Sequence, residues 1–222
     1  MPSVQADFDR LALLDSEGWT ANNHYHNFLL RHVPQNCAKT LEVGCGTGAF
    51  SRRLAERSQH VIALDLAPEM IRVARSRSTQ FPNIDFRIGD AMTWNFPSGD
   101  FDCITSIATL HHLSQGELLV RLNDALRPGG VLIVLDLVTS SSPLELIQDV
   151  LALGVSSTFR LLHNRSLRPP AEVRAAWEQH GQHDDYLKMK EVRRLCAEIL
   201  PGARVRRHLL WRYSIVYCKP IS

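Results

Sequence analysis

Three alternating glycines, Gly44, Gly46 and Gly48, follow directly on the aliphatic and β-branched segment Thr40–Val43. An apolar segment that stops at such glycines is typical of a buried strand that hands over to a helix. Glycine permits a positive φ and close approach to its backbone, so a ligand can lie directly against the main chain there. The loop therefore predicts an α/β protein with a ligand site at the carboxyl end of its first strand.

Short apolar segments alternate with helical patterns as far as Leu137. The segments that read as strands, expected to be buried on both faces, are Thr40–Val43, Val61–Asp65, Ile84–Ile88, Phe101–Ser106 and Val131–Leu137. The helices expected between them are Phe50–Ser58, Pro68–Arg77 and Gly116–Leu126. Repeated alternation of this kind predicts a parallel sheet wrapped by helices.

The alternation stops after the fifth strand. Residues 140–188 carry no strand pattern and combine an apolar helix, Leu144–Leu153, with a polar, histidine-rich stretch, which indicates an insertion or a lid. A helix at Met189–Leu200 is followed by two strands, Val205–Leu210 and Tyr213–Tyr217. Because only two residues separate these strands, we expect an antiparallel hairpin at the end of the sheet.

The chain has 222 residues, of which 45% are hydrophobic, so it can form a single domain around a sizeable core. Within that domain we distinguish four parts along the chain. They are an N-terminal helical cap (1–36), a ligand-binding core (37–139), a helical insertion or lid (140–188) and a C-terminal helix with a hairpin (189–222).

Charge and cysteine content narrow the class of protein. The formal net charge of +2 gives no reason to expect a nucleic-acid or membrane partner. The five cysteines include no C-x-x-C pair, which argues against a disulfide framework or a zinc ribbon and fits a reducing compartment. The longest aliphatic run, Val131–Leu135, is too short to span a bilayer, and acidic residues interrupt the N-terminus where a secretory signal would be apolar. We therefore predict a cytoplasmic protein.

Two acidic residues follow the strands that come after the glycine loop. Asp65 closes the second strand, and Asp90 follows the third. An ionised carboxylate only accepts hydrogen bonds, so a ribose diol suits Asp65 and the amino edge of a base suits Asp90. The pair predicts a nucleoside-containing ligand beside the loop.

Together these motifs resemble the class I S-adenosylmethionine-dependent methyltransferases. In chain order, the matching elements are the Glu-x-Gly-x-Gly-x-Gly loop Glu42–Gly48, Asp65, Asp90, the strand-four motif Phe101-Asp102 with Leu110–Leu113, and the turn Leu126–Gly130. The resemblance spans residues 37–139 and extends to the terminal hairpin. It implies a Rossmann-like, doubly wound sheet, mostly parallel, with an antiparallel C-terminal strand and a helical insertion after strand five.

The resemblance also implies the reaction and the cofactor. The protein would transfer the methyl group of S-adenosylmethionine to an oxygen, nitrogen or carbon nucleophile of a small molecule, and release S-adenosylhomocysteine. The family signature for methylating amino groups of bases, Asn/Asp-Pro-Pro-Tyr, is replaced here by Ala108-Thr109-Leu110-His111. The replacement favours a small-molecule acceptor and argues against a nucleic acid.

A set of cofactor-binding residues follows from the resemblance. Asp65 would bind the ribose hydroxyls, and Asp90 with Ala91 and Met92 would frame the adenine. The other expected contacts are Glu42 with Gly44, Gly46 and Gly48 at the methionine part, Leu66 and Met70 as apolar contacts, Ser106 and Ile107 beside the sulfonium, and Tyr25 from a preceding helix. Alternatively, Tyr25 belongs to an amphipathic helix that only packs on the sheet.

Two adjacent histidines, His111 and His112, follow the fourth strand near the expected position of the methyl group. An imidazole can act as a general base on a hydroxyl or an amine, although these side chains could instead shape the pocket or cap the next turn. We expect no metal site. His24 and His26 point apart on a helix, and His180 with His183 lacks a third ligand.

Two alternative functions fit part of the sequence. Gly44-x-Gly46-x-x-Ala49, with Asp65 further on, also satisfies the dinucleotide fingerprint of an NAD(P)-dependent oxidoreductase. The third glycine, the element at Asp90 and the closing hairpin favour the methyltransferase. A second alternative is a protein that binds S-adenosylmethionine without catalysis.

Overall fold

The fold was analysed in a computed structural model, which describes residues 4–181 and 186–221. Seven strands form one sheet in the order β3-β2-β1-β4-β5-β7-β6. They are β1 (Cys37–Val43), β2 (Ser58–Asp65), β3 (Ile84–Ile88), β4 (Phe101–Ile107), β5 (Leu126–Leu137), β6 (Arg204–Arg207) and β7 (Arg212–Cys218). The first five strands pair in parallel, and β7 runs antiparallel to both β5 and β6. The predicted Rossmann-like sheet with a reversed C-terminal strand is confirmed.

Helices cover both faces of the sheet. They are α1 (Val4–Leu14), α2 (His26–Leu30), α3 (Ser51–Ala55), α4 (Pro68–Arg77), α5 (Gln115–Ala125), α6 (Pro143–Asn164), α7 (Ala171–His180) and α8 (Met189–Ile199). Two 3₁₀ turns, Asn23–Tyr25 and Leu110–His112, precede α2 and α5. The larger buried cluster lies between the sheet and the pair α5 and α8, and a second cluster lies on the opposite face beside α2 and α3.

Two local expectations were wrong. The outer strand β3 is not buried on both faces, because it pairs only with β2; Phe86 is its one buried residue. The terminal hairpin has a four-residue connection, 208–211, and not a two-residue one, because β6 already ends at Arg207. That connection is closed by the amide of His208, which donates to the carbonyl of Arg212 at 2.7 Å.

The insertion after β5 is dominated by α6, whose inward side combines polar residues with the buried Ala152. Glu145 and Asp149 on this side lie near the guanidinium of Arg207. Large aliphatic side chains face outward instead: Leu144, Leu146, Ile147, Val150, Leu151, Leu153, Leu161 and Leu162. Neither α6 nor any other helix in the described ranges has the length and apolar character needed to cross a membrane.

The N-terminal helix α1 packs over the start of α4. Leu11 and Ala12 of α1 share a buried cluster with Met70 of α4 and Ala176 of α7. In addition, the carboxylate of Asp9 accepts a hydrogen bond from the amide of Glu69 at 2.9 Å, within the first turn of α4. The N-terminal segment is thereby fixed above the carboxyl ends of β1 and β2.

The order of the strands in the sheet determines where a ligand site can form. Strand β1 lies between β2 and β4, so the connections leaving β1 and β4 lead to opposite sides of the sheet. In open α/β sheets a crevice forms at such a switch point, outside the carboxyl ends of the strands. The glycine loop, both predicted acids and both predicted histidines follow the carboxyl ends of β1 to β4 and therefore meet at this edge.

Candidate functional site

The three glycines of the loop have different surroundings. A Cβ atom on Gly44 would lie 1.9 Å from the hydroxyl of Thr109, and one on Gly48 would lie 3.0 Å from an aromatic ring of β3. At Gly46, by contrast, the nearest neighbour of such an atom is the sulfur of Met70 at 4.0 Å. Gly44 and Gly48 are therefore packed against protein, whereas Gly46 is the glycine of the loop that has open space beside its backbone.

Asp65 ties the loop to the end of β2. Its carboxylate accepts a hydrogen bond from the amide of Gly46 at 2.8 Å and another from the amide of Ala67 at 2.9 Å. Burial raises the pKa of Asp65, and the nearby carboxylate of Asp9 acts in the same direction, while the backbone amides of Ala67, Gly46 and Leu66 oppose them. A carboxylate offers about four acceptor sites, so these amides leave acceptor capacity for a hydroxyl group.

Glu42 lies in β1 directly beneath the loop and is only 1% exposed. The hydroxyl of Ser51 donates to its carboxylate at 2.5 Å. Burial raises the pKa of Glu42 to about 8, and the nearby Asp65 adds to the shift. Glu42 is therefore largely protonated at neutral pH, and a cationic ligand group placed next to it would favour its ionised form.

Asp90 organises the turn after β3. One oxygen of its carboxylate accepts a hydrogen bond from the amide of Met92 at 2.8 Å, and its backbone carbonyl accepts from the amide of Trp94 at 2.8 Å. Ala91 between them is buried in the core. Within the described residues no donor reaches the second carboxylate oxygen of Asp90, so that atom remains available to an amino group.

The other residues predicted to contact the cofactor differ in how exposed they are. Leu66 is 36% exposed beside Asp65, whereas Met70 is buried beneath α1 and faces Gly46. The hydroxyl of Ser106 is fully buried and donates to a β1 carbonyl at 3.0 Å, so it links two strands.

Two further residues predicted to contact the cofactor, Ile107 and Tyr25, lie on the face of the sheet that packs against α2 and α3. Ile107, at the end of β4, packs against the cluster on the α2 side. Tyr25 is buried in that cluster, and its hydroxyl accepts a hydrogen bond from the amide of Leu210 at 3.2 Å. The structure thus places Tyr25 at the connection between β6 and β7.

His111 forms a buried pair with Asp136 of β5. The Nδ1 atom of His111 lies 2.5 Å from the carboxylate of Asp136, which also accepts from the amides of His111 at 3.0 Å and Leu137 at 2.7 Å. Asp136 is completely buried. With Nδ1 donating to this carboxylate, Nε2 carries the lone pair of the neutral imidazole. Asp136 escaped the sequence analysis, although a charged residue inside the aliphatic run of a buried strand is a detectable signal.

His112 faces the covering helices. Its Nε2 lies 3.4 Å from Nε2 of His180 in α7, and the ring of Phe8 in α1 packs edge-on against both imidazoles. Asp7 of α1 lies 3.5 Å from Nδ1 of His180. His183 lies outside the described residues, and the described ones contain no group of three or more potential metal ligands.

Comparisons with known proteins identify the family of this chain. A family profile described as a methyltransferase domain matches residues 40–130. An uncharacterized methyltransferase of Mycobacterium bovis is 32% identical over 212 residues, which cover 91% of this chain and 98% of that protein. A ubiquinone biosynthesis O-methyltransferase of Xylella fastidiosa is also 32% identical, over 80% of this chain and 77% of that protein.

Solved structures share the fold at low sequence identity. The N-methyltransferase NodS from Bradyrhizobium japonicum, solved with S-adenosylhomocysteine, superposes with a TM-score of 0.66 at 17% identity. The match covers 99% of this chain and all of NodS.

The contact between Gly44 and Thr109 predicts a stability difference between two glycine variants. Gly44 and Gly99 have similar positive φ angles of 74° and 67°, but nothing lies within 4 Å of a Cβ atom on Gly99. Gly99→Ala should cost about 1–2 kcal/mol for the backbone conformation alone. Gly44→Ala should cost a further 1–3 kcal/mol or so for the steric overlap. Urea unfolding measures both variants, and equal losses would contradict the assigned contact.

The raised pKa of Glu42 predicts a pH-dependent stability. Between its ordinary pKa of 4.5 and its folded value of about 8, the unfolded chain loses the proton and the folded one keeps it. The free energy of unfolding should therefore fall in this window by about 1.4 kcal/mol per pH unit through Glu42 alone. Glu42→Gln should remove this slope, as measured by urea unfolding at pH 5.5 and pH 7.5.

The control for this experiment is Glu117→Gln, because Glu117 is exposed in α5. That substitution should leave the pH dependence of stability as in the wild type. If the stability difference between the wild type and Glu42→Gln is the same at both pH values, Glu42 is ionised in the folded protein and the assigned protonation is wrong.

Proposed function

The chain belongs to the class I S-adenosylmethionine-dependent methyltransferases, and from this premise we propose that it methylates a nucleophile, in the first place a hydroxyl, on a small molecule. The observation that carries the proposal is the buried pair of His111 and Asp136 beside the glycine loop. A base held in this way is needed when the nucleophile must lose a proton during transfer. The name of the Xylella fastidiosa relative, an O-methyltransferase, agrees with a hydroxyl acceptor.

The residues at the edge of the sheet fit S-adenosylmethionine. Gly46 offers the backbone of the loop without a side chain, and the carboxylate of Asp65 keeps acceptor capacity for a ribose hydroxyl beyond the amides that it binds. The second oxygen of Asp90 suits the amino group of adenine, and buried Glu42 suits the methionine ammonium. When bound, the cofactor supplies a methyl group activated by its positively charged sulfur, and transfer leaves S-adenosylhomocysteine.

His111 would take the proton of the attacking hydroxyl at Nε2. Asp136 holds the ring through Nδ1, so that of the two neutral tautomers the one that can accept at Nε2 is favoured. After transfer, the buried carboxylate would stabilise the resulting imidazolium by its negative charge. Asp136 thus acts through His111 and does not itself contact the acceptor.

His112 has a different part in this proposal. Its ring joins Phe8 of α1 and His180 of α7, the helices that cover the edge of the sheet. Covering the reacting groups excludes water and aligns acceptor with cofactor, and such alignment is worth up to about 7–11 kcal/mol of a reaction barrier. We therefore assign His112 to closure of the site and His111 to proton removal.

Ligand-induced stabilisation tests the cofactor assignment. S-adenosylhomocysteine at about 100 times its Kd should raise the free energy of unfolding by about 2.7 kcal/mol, and so raise Tm by about 5–11 °C. Asp65→Asn should weaken binding about 10- to 150-fold, because a charged hydrogen-bond acceptor is lost. Asp85→Asn, which changes a carboxylate of β3 that pairs with Arg87, should bind as the wild type does. A rise in Tm with NADH alone would overturn the methyltransferase assignment in favour of hydride transfer.

Separate substitutions of the two histidines test the base. With an acceptor found by screening small hydroxyl and amine compounds for release of S-adenosylhomocysteine, His111→Gln should lower kcat about 10²- to 10⁴-fold. His112→Gln should retain much more activity, since it removes packing and leaves the base in place. Both variants should bind S-adenosylhomocysteine. Full turnover by His111→Gln would eliminate the proton-removal role.

A further inference from the structure

Arg212 places a positive charge beside the proposed base. In the antiparallel pairing of β5 with β7, Arg212 lies opposite Leu137, the residue that follows Asp136. The side chain therefore starts at the carboxyl end of β5, at the same edge of the sheet as the glycine loop and His111. Arg212 has no part in the cofactor binding or the proton removal proposed above.

The guanidinium of Arg212 has only neutral hydrogen-bond partners. Nε donates to the side-chain oxygen of Asn22 at 2.8 Å, and Nη1 donates to the carbonyls of Leu210 at 3.2 Å and Trp211 at 3.5 Å. Throughout the described residues, no carboxylate lies within ion-pair distance of this side chain and Nη2 donates no hydrogen bond. An enclosed cation without an anionic partner among these residues is suited to bind an anion.

The electrostatic surroundings agree with this view. Burial lowers the pKa of Arg212 to about 10, which means that the charge is retained at neutral pH at a cost in solvation. The carboxylate of Asp136 and the phenols of Tyr25 and Tyr186 act in the opposite direction but do not compensate for burial. A bound anion would recover part of that lost solvation.

A cavity of about 320 Å³ lies in front of Arg212. Its walls include Leu137 and Thr139 after β5, Trp211 beside Arg212, and Tyr186. The amide of Thr139 donates to the carbonyl of Leu187 at 3.2 Å, which holds the neighbouring Tyr186 at the cavity. The space suits a small molecule of mixed polar and apolar character.

The cavity lies next to the proposed base, although His111 is not part of its wall. Tyr186, which lines the cavity, also packs on the ring of His111 with a distance of 5.2 Å between ring centroids. The ring of Tyr186 therefore separates the cavity from His111, and an acceptor held by Arg212 would reach the base past this ring.

The charge of a ligand that fits the cavity can be inferred from Arg212 and from Asp149, the other charged residue that lines it. Asp149 also lines the cavity, but its carboxylate is already bound by Arg207 at 3.1 Å and by the hydroxyl of Ser140 at 2.5 Å. Among the charged groups of the cavity wall that the structure describes, Arg212 is thus the one that forms no ion pair. A second negative charge on the ligand would meet the carboxylate of Asp149, so a singly charged anion fits better than a phosphate dianion.

We propose that Arg212 binds a carboxylate of the methyl acceptor, so that the substrate is a small organic acid whose nucleophile is directed toward His111. This inference rests on the proposed methyl transfer for the identity of the ligand as acceptor. The binding of a carboxylate by Arg212 can be measured independently of any turnover.

Benzoate and benzamide, which share a shape but differ in charge, are the probes. Their binding is measured from the indole N–H resonances of the four tryptophans, both with and without saturating S-adenosylhomocysteine. The wild type should bind benzoate at least about tenfold more tightly than benzamide, as expected for a hydrogen-bonded charge. Arg212→Gln should abolish this preference, and Arg212→Lys should keep part of it because the charge remains.

Arg206→Gln is the matched control, because it removes the same charge from an exposed position on the neighbouring strand β6. This variant should retain the preference for benzoate. Equal binding of benzoate and benzamide by the wild type, no detectable binding of either, or an unchanged preference in a folded Arg212→Gln variant would each overturn the proposal.

Failure of the proposed function gives a different result. If S-adenosylhomocysteine does not bind but benzoate binds through Arg212, the carboxylate subsite is supported and the proposed methyl transfer is wrong. If S-adenosylhomocysteine binds and the preference for benzoate is absent, the cofactor assignment is supported and the carboxylate subsite is wrong. With an acceptor in hand, Arg212→Gln should raise KM more than it lowers kcat, whereas His111→Gln should mainly lower kcat.

Discussion

The site depends on the hydrogen bonds that tie the loop after β1 to the end of β2. The amides of Gly44 and Cys45 both donate to the carbonyl of Leu64, at 2.8 and 3.0 Å, and the amide of Gly46 donates to Asp65. These bonds require the parallel register of β1 with β2 and a loop that passes through positive φ angles. Once they form, the open face of the loop, the carboxylate of Asp65 and the start of α4 take up fixed relative positions.

The edge of the sheet is divided by function along its strand order. On the side of β1, β2 and β3 lie the groups suited to a nucleoside, namely Gly46, Asp65 and Asp90. On the side of β4, β5 and β7 lie His111, the proposed base, and the cation Arg212, which would suit the proposed acidic acceptor. The 3₁₀ turn Leu110–His112 joins the two halves, because His111 binds β5 while His112 meets the helices that cover the site.

Much of this arrangement could be predicted from the sequence, because local patterns encode it. Strand β3 and helix α4 were predicted at their observed bounds, and the reversed strand followed from the short terminal connection. The sequence alone does not reveal which groups each of these side chains contacts. The pairing of His111 with Asp136 joins residues 25 apart and depends on the register of β4 with β5, and the contact of Phe8 with His180 depends on tertiary packing. For the same reason the contact of the Tyr25 hydroxyl with the amide of Leu210 could not be predicted.

The central claim is that the cofactor lies against the backbone at Gly46. The most direct measurement is a titration of protein labelled with ¹⁵N at its 12 glycines, following each amide resonance as S-adenosylhomocysteine is added. The account predicts large, saturable shifts for Gly46 and its neighbours in the loop, and almost none for Gly99 and Gly202 in distant turns. Saturable binding that leaves the resonance of Gly46 unmoved would contradict it.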